Sequence, residues 1–121
     1  MDGIVGYREI REQFLGCYYS YCREKLQHHS PWVAGESEVG YAYEELEGTF
    51  DRPIENLMLE VIALMLRAGR GGNAMEYHLS AIDRILKAND INNMACDLSD
   101  EDKGDFFADL QILGLIDRYQ R

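Results

Sequence analysis

Along this chain apolar residues recur at spacings of three and four, and no segment sustains the strict alternation of a half-buried strand. The pattern predicts an all-α protein. Its most apolar stretch is residues 53–68, PIENLMLEVIALMLRA. Ile54, Leu57, Met58, Leu59, Val61, Ile62, Leu64, Met65 and Leu66 would wrap nearly the whole circumference of a helix. Asn56, Glu60, Ala63 and Arg67 share the one narrow stripe left over, because steps of four, three and four return to the same side. A helix this apolar needs either a membrane or other helices around it. At 16 residues, with Glu60 at its middle, it falls short of the about 20 residues that span a bilayer. The expectation is a single helical domain, residues 1–121, built as a bundle of about five helices around residues 53–68.

The flanking segments supply the rest of the bundle. Residues 4–27 read as a long first helix, with Tyr7, Ile10, Phe14, Cys17, Tyr18 and Tyr21 on one side. Gly6 and Gly16 weaken it, and a kink or close crossing is expected near Gly16. Pro31 should end it near Gln27, leaving 28–38, with Trp32, as a loop. Residues 39–47 read as a short helix closed by Gly48. Asp51 is placed to cap the central helix, with Pro53 and Glu55 suited to its first turn and Gly69 to its closure. Residues 74–88 form a fourth helix with Met75, His78, Leu79, Ile82, Ile85 and Leu86 inward and an Asp83–Lys87 pair outward. A turn at 89–93 leads into a short helical stretch ending at Asp97. Ser99 with Asp102 then resembles a capping box opening the last helix, about 100–116, whose Phe106, Phe107, Leu110 and Leu113 face inward.

Charge changes the picture more than composition does. The net charge is −10, and it is concentrated. Residues 36–60 hold eight acids against Arg52 alone, and residues 90–109 hold seven against Lys103. Such a surface repels nucleic acid, whose binding needs Lys and Arg to displace phosphate counterions. It attracts a basic protein and speeds its association. The start of the chain turns charged before an apolar run develops, so no secretory signal is visible. Cys17, Cys22 and Cys96 are odd in number and read as small core residues, which favours a reducing, cytoplasmic setting.

Candidate chemistry is sparse. Glu24, His28 and His29 could touch a metal, but the third ligand at a fixed spacing is missing and a solvated helix end explains them. The run Gly69-Arg70-Gly71-Gly72 lacks the Lys-Ser/Thr ending of a phosphate loop and follows a helix, so it reads as a connection. His78 reads as a satisfied core histidine, since no nucleophile or carboxylate accompanies it at a motif spacing. No cofactor and no metal are expected. Tyr41 and Tyr43 point apart on a helix, so at least one should be accessible beside Glu44, Glu45 and Glu47.

The stretch DRPIENLMLEVIALMLRAGRGG, followed by an amphipathic helix with IDRIL, resembles small all-α immunity proteins of bacterial toxin systems. Contact-dependent inhibition and related polymorphic toxins are among those systems. The resemblance implies a cytosolic protein that binds a cognate toxin domain tightly and blocks it. Those toxins are often nucleases, hence basic. The expected contacts are Tyr41, Tyr43, Glu44, Glu45 and Glu47 first, and Asp100, Glu101, Asp105 and Asp109 second, with no chemistry performed. Two alternatives stand beside it. One is an all-α metal-dependent hydrolase combining Glu60 with Glu24 and His28 or His78, and the other is a helical adaptor or oligomer subunit. Glu60 itself, mid-way along the most buried helix, is expected to be held by tyrosines or an arginine of the first helix.

Overall fold

The computed structural model of the chain describes residues 4–28, 35–67 and 74–116, the side chains of 21–28, 35–38 and 74 excepted. Among these residues the fold is all-α, with no strand. The helices are α1 (Tyr7–His28), α2 (Gly35–Leu46), α3 (Pro53–Arg67), α4 (Ala74–Ala88), α5 (Ile91–Met94) and α6 (Asp100–Ile112). A single 3-10 turn, Ala95–Asp97, separates the last two. Trp32, the Glu24–His28–His29 group, the Gly69–Gly72 run and the side chains of Tyr21 and Cys22 lie outside what is described.

α3 is the central helix that its composition predicts. It packs against α1, α2, α4, α5 and α6, and every residue from Leu57 to Leu64 is buried. Around it gather Tyr7, Ile10 and Phe14 of α1, Val39, Ala42 and Leu46 of α2, Ala81 and Ile82 of α4, and Phe106, Phe107 and Leu110 of α6. Burying such side chains contributes about 1.5–3 kcal/mol each relative to exposure, which is why the apolar helix sits inside. Among the described residues no helix is long and apolar enough to cross a membrane.

Several local expectations change. α2 begins at Gly35, four residues before the apolar periodicity starts, because its first turn (Gly-Glu-Ser-Glu) has no apolar residue to mark it. Its end is as expected, with Gly48 at φ 85°. α6 stops at Ile112 instead of 116, since Gly114 at φ 75° closes it. There the Leu115 N–H donates to the Leu110 carbonyl (2.9 Å) and the Gly114 N–H to that of Gln111 (3.0 Å), the paired bonds of a Schellman closure. Leu79, expected inward, is 38% exposed. The Asp83–Lys87 pair is formed at 3.1 Å.

The close approach expected at Gly16 occurs at Gly6. A Cβ at Gly16 would meet nothing within 4 Å among the described residues, whereas one at Gly6 would overlap the Asp102 carboxylate of α6. Gly6 occupies the capping position of α1 and has no side chain to cap with. Asp102 does this from across the bundle, accepting from the Arg8 backbone N–H at 3.1 Å. Ser99 caps α6 by accepting from the Asp102 N–H at 3.1 Å, while the Asp102 side chain turns to α1 instead of back to Ser99. Likewise Glu55, buried at the start of α3, reaches back to accept from the Arg52 N–H (3.1 Å) and also accepts from the Val5 N–H (2.8 Å), which ties the residues before α1 to α3.

Candidate functional site

The narrow stripe on α3 becomes a polar seam against α2 and α4. Glu60 is 7% exposed, Arg67 5%, His78 1% and Tyr43 5%, so each must find its partners inside the protein. They do so in one chain of bonds. The Tyr43 hydroxyl donates to Glu60 Oε2 at 2.5 Å. Glu60 Oε1 lies 2.7 Å from His78 Nδ1, and the Arg67 Nε–H donates to His78 Nε2 at 3.0 Å. A guanidinium can only donate, so Nε2 must be the bare nitrogen and Nδ1 carries the proton toward Glu60. The neutral ring thereby bridges the two helical turns that separate the charges of Glu60 and Arg67.

This corrects one expectation and fills in another. Glu60 is held by a tyrosine, but from α2, and by a histidine from α4, with no contribution from α1 among these bonds. His78 is the satisfied core histidine expected, its carboxylate partner lying 18 residues away, outside any motif spacing. Both ring nitrogens are engaged, which leaves no lone pair for a substrate proton without displacing Arg67. Of the hydrolase set, Glu60 and His78 come together, while the side chains of Glu24 and His28 lie outside the described residues. No group of three or more His, Cys, Asp and Glu side chains that could hold a metal occurs among the described residues.

The seam continues to the surface. Glu47 Oε2 accepts from the Tyr77 hydroxyl at 3.0 Å, with the Tyr43 hydroxyl 3.4 Å away. The Tyr43 ring stands edge-on to His78 and to Tyr77, centroids 4.7 and 6.1 Å apart. Burial, then the hydrogen bond and charge of Glu60, push the Tyr43 hydroxyl far above the ordinary tyrosine range. Above these groups lies a pocket of about 250 Å³ lined by Gly40, Tyr43, Glu44, Glu47, Arg67, Tyr77 and His78.

The candidate contact residues divide sharply. Glu44, Glu45 and Glu47 are exposed and Tyr41 is 37% exposed, whereas Tyr43 is turned inward as part of the seam. On α6, Asp100 is exposed, but Glu101 and Asp105 pair with Arg8 at 3.1 and 2.8 Å. Asp109 accepts from the buried Tyr7 hydroxyl at 2.5 Å. Sequence reasoning overlooked Tyr77, which is 52% exposed beside Glu47. Its one signal was its place next to His78, just off the inward stripe of α4. Comparison of the chain with family models, with curated proteins and with solved structures returns no match.

Proposed function

We propose that this protein is an immunity-type inhibitor, a cytoplasmic protein that occludes a basic toxin domain, with a nuclease as the expected class. The observation that supports the reading is the α2 surface. Glu44, Glu45 and Glu47 are exposed there, beside the accessible rings of Tyr41 and Tyr77, and residues 39–51 contain no Lys or Arg. Carboxylates held over a packed helical scaffold can stand where substrate phosphates would bind. Half-exposed tyrosines give the buried centre that a tight interface needs, at low conformational cost. The reading asks for no reaction: charge steers the encounter, aromatic burial slows dissociation, and the toxin's substrate is kept out.

The test is co-expression with the C-terminal domain of the protein encoded immediately upstream. Protection of growth and a stable purified complex are the expected results. Growth arrest unaffected by this protein, with no complex at micromolar concentrations, would overturn the reading. Association should also slow with added salt, because charges separated by more than about 10 Å are screened at 0.1 M ionic strength.

A further inference from the structure

The pocket between α2 and α4 is a separate feature from the charge of the surface around it. At about 250 Å³ it is smaller than the roughly 300 Å³ at which small-molecule sites begin, and it suits a single side chain. Its chemistry is directional. Glu44 on α2 and Glu47 just past its end line the pocket, and Glu60 lies behind the tyrosine, so three carboxylates oppose the one guanidinium of Arg67. The Tyr77 hydroxyl holds Glu47 in place, leaving its remaining lone pairs for an incoming N–H. The half-exposed ring of Tyr77 forms one wall, a surface on which a planar cation stacks favourably. Gly40 keeps the opposite wall open. A methyl group there would only touch Arg67 Nη2 at 3.5 Å, and a longer side chain would extend into the space.

We infer that this pocket receives one cationic side chain, an arginine by its shape, from the basic protein that docks on α2. The inference rests on the reading of the α2 surface as a docking site and deepens it by naming the anchor. An anionic group would reach Arg67 only past Glu44 and Glu47.

The experiment titrates the full chain, labelled with 15N, with N-acetyl-arginine amide and with its neutral isostere N-acetyl-citrulline amide. Amide shifts confined to 40–47 and 76–79 are expected with arginine, and about tenfold weaker binding with citrulline, as loss of charge-assisted bonds predicts. Gly40→Met should abolish the shifts, while Gly40→Ala should keep them and raise the melting temperature. Should Gly40→Met fail to fold, Glu47→Gln supplies the second variant, since it keeps the acceptor oxygen and loses the charge; weaker arginine binding is expected. Equal response to citrulline, shifts centred on α6, or undiminished binding in Gly40→Met or Glu47→Gln would overturn the inference. The two levels fail differently. Arginine amide bound in the pocket without any toxin bound to α2 refutes the immunity reading alone. A toxin that binds α2 in Gly40→Met as tightly as in the native protein refutes the pocket alone.

Discussion

Helices α2 and α6 each carry a run of acids, but their surroundings differ. Glu44, Glu45 and Glu47 look into solvent, whereas Asp102, Asp105 and Asp109 close on the first turn of α1 through the Arg8 N–H, the Arg8 guanidinium and the Tyr7 hydroxyl. Local charge density is nearly the same in both segments, so density alone does not separate a binding surface from a helix clasp. What separates them is whether the rest of the fold supplies donors. For α6 it does at Glu101, Asp102, Asp105 and Asp109, which are explained without a partner, while Asp100 stays exposed. For α2 the donor that reaches the rim among the described residues is the Tyr77 hydroxyl on Glu47, and Glu44 and Glu45 remain exposed.

The strongest way to break this contrast is to remove what holds α2 in place. In Glu60→Gln the amide can offer its oxygen to His78 only by turning its NH2 toward Tyr43, whose hydroxyl must then accept instead of donate, and Arg67 keeps its charge in the seam with the carboxylate gone. A loss of about 2–4 kcal/mol of stability is expected, measured by urea unfolding. Unchanged stability together with lost toxin binding would make Glu60 a contact instead of a scaffold residue.

Next in size is the clasp. Asp102→Ala should cost about 1 kcal/mol through loss of the cap on α1. Gly6→Ala should cost a similar amount by displacing the same carboxylate, so the double variant should be less destabilised than the sum of the two. Simple additivity would show that Gly6 is not there to admit Asp102.

Alkaline pH probes both regions together. Tyr7, through burial and Asp109, and Tyr43, through burial and Glu60, keep their protons in the fold well above the ordinary range. Their contribution is therefore fully present below the unfolded tyrosine value of about 10 and is lost as pH rises beyond it. Unfolding free energy should decline above that point, and the decline should be shallower in a Tyr7→Phe/Tyr43→Phe variant. An equal slope in native and variant proteins would assign the decline to other groups.

The smallest effect on stability is expected at the α2 rim. Glu44→Gln with Glu45→Gln should change stability by no more than about 0.5 kcal/mol, as exposed substitutions usually do, while flattening the salt dependence of association with the proposed toxin partner. A larger loss would place these acids in the same structural class as those of α6.

Much of this architecture was legible in the chain, and the reasons are local. The bounds of α3 and α4, the Ser99 cap and the Gly48 stop depend on neighbours three or four residues away. The polar seam was not legible, because Tyr43 and His78 meet Glu60 across 17 and 18 residues and three helices. Only the odd carboxylate in an apolar helix hinted that partners had to exist. The clasp was hidden for a further reason. Asp102 satisfies the pattern of a cap for its own helix, which conceals that its side chain caps another.

That displaced cap bears on the order in which the protein forms. Arg8 and Asp102 are 94 residues apart, and Tyr7 and Asp109 are 102. At synthesis rates of about 5–20 residues per second, α1 waits roughly 5–20 s after leaving the ribosome before α6 exists to clasp it. During that interval the Tyr7–Phe14 side of α1 has only the earlier helices to cover it. Closure of the first helix onto the last is then a late step, and a nascent chain stalled before Asp102 would present α1 uncapped to chaperones and proteases.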